Sequence, residues 1–179
     1  CCGDVLDFVA FDYYDPFTAH AFRWPVWGDF HIRKKSWRSR MMQSVTSKWW
    51  DWRMLPQGLE FMLERYAADC PGRDLVIAEN GMAMKRSRSH VQEPRPDRIN
   101  RSQYLEGHLA AVGRAVRRGI PLRGYFHWSL TDNFEWGSYL PRFGLYAINF
   151  SRGQDRLDRD PSGDCPSGTY RRLIAEAGF

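Results

Sequence analysis

A chain of 179 residues, 43% hydrophobic and 15% aromatic, is long enough for one domain with a real core and too apolar for a disordered tail. Its formal charge of +5, from 26 Lys and Arg against 21 Asp and Glu, is moderate and scattered, with clusters at 33–40, 85–88 and 152–159. Such a balance does not demand a polyanionic partner, although arginines interleaved with stacking aromatics keep nucleic-acid binding as an alternative. No apolar run reaches membrane-spanning length and no signal peptide is visible, so no membrane partner is expected.

In chain order, Val5 to Tyr13 reads as a strand, followed by a long Trp- and Arg-rich connection through Trp52. Pro56 opens a helix with Leu59, Met62, Leu63, Tyr66 and Ala67 at helical spacing, and Pro71-Gly72 stop it. A short apolar run from Leu75 to Ala78 then ends in Glu79-Asn80-Gly81, a buried strand with a carboxylate at its C-terminal tip. Simple alternation puts Leu75, Ile77 and Glu79 on one face, with Val76 and Ala78 on the other. Beyond a basic loop, Asp97 is the expected N-cap of a helix with Leu105, Leu109, Val112 and Val116 on one stripe, ended by Gly119 and Pro121. Leu122 to Trp128 is a third strand, with Gly124, Phe126 and Trp128 on one face. A loop at 131–141, a short strand near Phe143 to Phe150 and a helix from Ser167 to Ala177 complete the order.

Alternating strands and helices imply an α/β fold with parallel strands. Either an open doubly wound sheet or part of a (β/α)8 barrel fits, and the lack of a glycine-rich phosphate loop after any strand argues against nucleotide binding. Cys1, Cys2, Cys70 and Cys165 show neither metal-ligand spacing nor a disulfide framework, which suggests a reducing, cytoplasmic setting. The five histidines are dispersed, so no metal site is expected.

Carboxylates at strand tips are where a parallel α/β protein does chemistry. Glu60, Glu64, Glu106 and Glu176 fall on helices, and Glu93 lies in the basic loop before Pro94. Glu79 and Glu135 alone occupy strand-tip positions, so on the residues themselves they are the candidate catalytic pair. Around Glu135, Trp128 and Trp136 offer apolar faces to the C–H surface of a sugar, while Asp132, Asn133 and Glu135 offer hydrogen bonds to its hydroxyls.

Glu79-Asn80-Gly81, then GYFHWSLTDNFEW at 124–136 and RFGLYAINF at 142–150, resembles the C-terminal part of a family 1 glycoside hydrolase, the β-glucosidase and β-galactosidase family. DFVAFDYYDPF at 7–17 is similar to that family's strand ending in Asn-Tyr-Tyr. The resemblance implies a single partial TIM-barrel domain over 1–179, namely strands six to eight of the barrel with their helices, the N-terminal part being absent. It implies a retaining β-glycosidase in which Glu79 is the nucleophile and Tyr14 donates a hydrogen bond that orients it. It makes Glu135 and the Trp136 indole ligands of sugar hydroxyls, with Trp128 beneath the ring, which revises the pairing of Glu79 with Glu135.

Two departures from the family pattern stand out. Asp12 occupies a position where the family usually has Asn, which would bring a second negative charge near Glu79 and blunt it. The family's acid/base glutamate belongs to an Asn-Glu-Pro motif, and this chain has only Gln92-Glu93-Pro94, in the wrong place; the chain alone is therefore expected to be inactive. Members that cut 6-phospho-glycosides usually carry a small hydroxyl residue at the position of Glu135 and a Lys and Tyr shortly after, where Pro141 and Phe143 stand here. The implied substrate is an unphosphorylated small-molecule β-glycoside, and its double displacement needs no cofactor or metal. A catalytically silent sugar-binding relative is the alternative.

Overall fold

The computed structural model describes residues 5–14, 52–87, 91–95, 97–135, 137–150, 153 and 155–177, and the backbone alone of 17–18 and 29–30. Its centre is a three-stranded parallel sheet of β1 (Phe8–Tyr13), β4 (Asp74–Asn80) and β7 (Leu122–His127), in that spatial order. Three helices alternate with these strands: α1 (Pro56–Asp69), α2 (Arg101–Arg117) and α3 (Pro166–Ala177). Parallel neighbours joined through helices make this a mixed α/β fold, as expected. Short antiparallel pairs decorate it: β2 (Phe17–Thr18) with β3 (Asp29–Phe30), β5 (Met84–Arg86) with β6 (Gln92–Glu93) and β8 (Pro141–Arg142), and β9 (Ala147–Asn149) with β10 (Asp155–Leu157).

One face of the sheet is covered. Leu75 and Ile77 of β4 are fully buried against Leu59 and Leu63 of α1, with Tyr13 and Ala115 in the same cluster and Met62, Tyr66 and Ala67 packed around it. The expected stripe of α1 is thus the buried one. Pro56 suits its first turn, where a missing N–H costs nothing. Gly58 is required there, because a Cβ would run into the Tyr13 hydroxyl, which donates to the Leu55 carbonyl at 2.7 Å.

Helix α2 departs from the apolar stripe. Its buried residues are Arg101, Tyr104, Leu105, His108, Ala111 and Ala115, while Val116 is exposed. The spacing is helical, but two polar aromatics and an arginine occupy the core-facing positions, so a pattern drawn through aliphatic residues lies off to one side. Its N-cap is Asn100 and not Asp97: Asn100 Oδ1 accepts from the Gln103 N–H and Gln103 Oε1 accepts from the Asn100 N–H. Asp97 instead pairs with Arg95 and accepts from the Ile99 N–H. Cys70, buried just past α1, is disulfide-bonded, contrary to the expectation of no disulfide framework, and Cys165 is free.

Of the expected strand near Phe143 to Phe150 only β9, Ala147–Asn149, is regular strand; β8 lies just before it, and the residues between the two are strapped to the loop after β7. Leu145 N–H donates to Ser129 O at 2.8 Å and Tyr146 N–H to Leu130 O at 3.0 Å. Asp132 accepts from the Gly144 and Ile148 amides and lies 3.6 Å from Arg101, which also bonds Asp160 at 2.8 Å and the Gly144 carbonyl. Asp132 is therefore a buried brace of this loop and not a free sugar ligand. No helix among the described residues is long and apolar enough to cross a membrane.

Candidate active site

The site begins where regular strand pairing ends. Along β1 and β4 the register shifts between Phe11 and Asp12, so that Phe11 pairs with Ile77 but Asp12 with Glu79; between β4 and β7 it shifts between Leu75 and Val76 and again after Ile77. An extra residue in one strand re-aims the side chains beyond it. Asn80, not Glu79, follows Leu75 and Ile77 to the helix side, where it is fully buried against Tyr104 of α2. The alternation expected for Glu79 is thereby corrected: the carboxylate leaves the Leu75 and Ile77 face and meets Tyr14.

Tyr14 Oη donates to Glu79 Oε2 at 2.7 Å. Burial first, then the hydrogen bond to Glu79 and the charges of Glu79, Asp12 and Glu135, push the Tyr14 hydroxyl far above its ordinary range. It therefore stays protonated and acts as a donor to the carboxylate. Trp52 at a ring-centroid distance of 5.2 Å and Phe143 at 6.1 Å wedge the tyrosine ring. Trp52 was legible only as one member of a Trp-rich stretch; the other tryptophans of that stretch, Trp24, Trp27, Trp37, Trp49 and Trp50, lie outside the described residues. Asp12 is exposed, on the side of β1 that carries Phe8 and Ala10, with its charge within reach of Tyr14.

The tip of β7 brings the second carboxylate. Trp128 N–H donates to the Asn80 carbonyl at 3.0 Å, which carries the third strand up to the end of β4. The peptide bond between Trp128 and Ser129 is cis. Gly81 packs so closely on the Trp128 carbonyl that no Cβ fits, which explains the glycine after Glu79-Asn80. Trp128 Nε1 donates to Glu135 Oε1 at 2.9 Å, and Glu135 is 5% exposed. A tight turn holds the carboxylate: Glu135 and Ser138 exchange backbone hydrogen bonds of 2.8 and 3.0 Å, and Gly137 takes the positive φ of 88° that the turn needs. Trp136, between them, lies outside the described residues.

Of the residues expected at the site, Tyr14 and Glu79 are in contact, as are Trp128 and Glu135. Glu93 is elsewhere, bonded to Lys85 Nζ at 2.7 Å on the β5–β6 ribbon. Tyr104 and Tyr125 were not singled out by sequence pattern, and Asn80 entered only as part of the Glu79-Asn80-Gly81 motif, without a role; the three side chains meet behind the site on the helix side. Among the described residues, no group of three His, Cys, Asp or Glu is placed to hold a metal ion.

The strand tips of the parallel sheet thus carry a tyrosine-bound carboxylate, an indole and a second, buried carboxylate. The model for glycosyl hydrolase family 1 matches residues 2–172, and the chain belongs to that family. It is 38% identical over 139 residues to a bifunctional β-D-glucosidase/β-D-fucosidase of Bifidobacterium breve, covering 70% of this chain and 26% of that protein. It is 38% identical over 103 residues to 6-phospho-β-galactosidase 1 of Streptococcus pneumoniae, covering 56% of this chain and 22% of that one. Among solved structures, a β-glucosidase from Thermotoga maritima in complex with glucoimidazole superposes with a TM-score of 0.68 at 26% identity, over 97% of this chain and 36% of that one. These structural neighbours are TIM-barrel enzymes. The chain spans about a quarter of the length of such curated relatives and about a third of the solved structure.

Proposed function

We propose that the chain forms the C-terminal three βα units of a (β/α)8 barrel and supplies the nucleophile side of a retaining β-glycosidase that acts on unphosphorylated β-glycosides. The observation that carries this reading is the 2.7 Å hydrogen bond from Tyr14 to Glu79 at adjoining parallel strand tips. A retaining mechanism needs one carboxylate to attack the anomeric carbon and another carboxyl group about 5–5.5 Å away to protonate the leaving oxygen. Glu79, oriented by a hydroxyl that cannot itself ionise at working pH, is suited to attack. Glu135, held by the Trp128 indole, is suited to receive sugar hydroxyls, with Trp128 lining the ring; the resemblance assigns Trp136 to the same hydroxyls. Asp12 adds negative charge to the same pocket. The protonating glutamate comes from the remainder of the barrel, since this chain offers no Asn-Glu-Pro.

The relatives include 6-phospho-β-galactosidases, so phosphorylated sugars are the second reading. Against it, the Glu135 carboxylate would repel a phosphate, and Pro141 and Phe143, both buried, offer no cation or hydroxyl to hold one. The test is covalent trapping in the complete enzyme with 2,4-dinitrophenyl 2-deoxy-2-fluoro-β-glucoside, whose leaving group needs no protonation. The expected result is a stable fluoroglycosyl adduct on the peptide containing Glu79, and none from the 6-phosphorylated reagent. An adduct on Glu135, or labelling by the phosphorylated reagent alone, would reverse the assignment.

A further inference from the structure

The backbone ladder lapses where the site begins, and one buried side chain takes over its work. Asn80 Nδ2 donates to the Tyr13 carbonyl at 2.6 Å and to Tyr104 Oη at 2.9 Å, while Asn80 Oδ1 accepts from Tyr125 Oη at 2.8 Å. The Asn80 carbonyl accepts from the Trp128 N–H at 3.0 Å. Because the Tyr13 carbonyl can only accept, the amide nitrogen must face it, which fixes the orientation of the group. Asn80 is fully buried, and Tyr104, stacked on His108 with centroids 3.9 Å apart, is 2% exposed.

These bonds join three strand tips. Tyr13 precedes Tyr14, Asn80 follows Glu79, and Trp128 holds Glu135. The amide thus bridges the residue before the hydroxyl donor and the residue after the carboxylate, where the shifts after Phe11 and after Ile77 leave regular pairing behind. Tyr104 and Tyr125 anchor it from α2 and β7. Each strand tip is held to its neighbour by a short bond on the helix side, directly behind the atoms that meet on the other side.

We infer that Asn80 is the positioning residue of this site, its side-chain amide holding Tyr14 and Glu79 in the geometry that makes Glu79 an effective nucleophile. The inference rests on the nucleophile reading given above for Glu79. A misplacement of about 1 Å at a reacting group can cost about 100-fold in rate, so loss of the strut should appear in the chemical step and not in sugar binding.

The experiment measures, in the complete enzyme, the first-order inactivation rate and the dissociation constant of the same fluoroglycoside. Asn80→Ala is expected to lower the rate about 100-fold while the dissociation constant changes less than about 3-fold. In a Tyr14→Phe background, Asn80→Ala should cost no more than about 3-fold, because its effect passes through the Tyr14 bond. Should Asn80→Ala not accumulate as folded protein, Tyr125→Phe, which removes one donor from Oδ1, is expected to lower the same rate about tenfold with the thermal midpoint nearly kept. An unchanged rate in folded Asn80→Ala or in Tyr125→Phe, a change confined to the dissociation constant, or full additivity with Tyr14→Phe would overturn the inference and leave Glu79 as nucleophile. Absence of any adduct on Glu79 in the unsubstituted enzyme would overturn both.

Discussion

The two faces of the β1–β4–β7 sheet differ in what they are asked to do. On the helix side, Leu75 and Ile77 are fully buried against α1, and the polar groups at the strand tips are joined to one another through Asn80. On the opposite side Phe8 is 55% and Phe126 61% exposed, and the strand tips on that side carry the Tyr14–Glu79 and Trp128–Glu135 pairs. In a closed barrel that second face is interior. The comparison teaches that stability and chemistry here are separated by the thickness of one strand, and that a register shift at the tip of β4 moves Glu79 from the first domain of responsibility to the second.

The sharpest way to break the comparison is to remove chemistry without touching stability. Glu79→Ala, on the open side, is expected to lower turnover of the complete enzyme by roughly three or more orders of magnitude while sugar binding and the thermal midpoint largely survive. The void left beside the anomeric carbon admits azide, and azide should restore turnover with an α-glycosyl azide as product. Glu135→Ala should weaken sugar binding with no such rescue. Rescue seen only for Glu135→Ala would exchange the two roles.

The converse substitution removes stability without touching chemistry. Ile77→Ala leaves a cavity under α1 and should destabilise by about 2–5 kcal/mol in urea unfolding, with the turnover per folded molecule kept. Phe126→Ala, on the exposed side, should cost this chain less than about 1 kcal/mol. If the barrel reading holds, the same change in the complete enzyme costs what a buried aromatic costs, about 3–5 kcal/mol. Equal effects of Phe126→Ala in chain and enzyme would count against that reading.

The fold was more legible than the site, for physical reasons. Periodicity exposed α1 because its stripe is wholly apolar, from Leu59 to Ala67, and the third helix and three parallel strands followed from Pro, Gly and apolar runs. It misjudged α2 because Tyr104, His108 and Arg101 face inward, and a polar core is invisible to a search for aliphatic spacing. The capping box at Asn100 and Gln103 was readable as an Asn-x-x-Gln pattern, but the nearer-looking Asp97 competed with it. Glu79 was found from its strand-tip position and its motif. Its face was not, since a register shift depends on how two strands meet and leaves no mark in either alone. Asn80 was passed over for the same reason: its partners come from β1, α2 and β7, and only the assembled sheet brings them together.

An effect smaller than that of Ile77→Ala concerns pH and belongs to the covered side. His108 and His127 lie there, and burial lowers them from the ordinary imidazole value of 6.5 to about 4 and about 3 respectively. The Tyr104 carbonyl partly offsets this for His108. For His127 the Phe143 carbonyl does the same, while the charges of Arg101 and His108 deepen the depression. A lowered folded-state value means that the native protein binds fewer protons than the unfolded chain once pH falls below about 6.5. The stability tied to the neutral imidazoles is therefore complete above that pH and declines as pH falls toward 4 and 3. Between pH 7 and pH 5 each histidine should account for about 2 kcal/mol of lost stability. Each has a buried ring nitrogen without a hydrogen-bond partner, Nε2 of His108 and Nδ1 of His127, but His108 is the better probe because His127 adjoins Trp128 at the strand tip; a phenylalanine at 108 would leave no polar atom there. Urea midpoints measured at pH 7 and pH 5 should therefore fall less in His108→Phe than in the unsubstituted chain, by about half of the total drop if the two sites act independently. A drop of the same size in both proteins would mean that His108 is accessible to protons in the folded state, and that the covered face of the sheet is not dry.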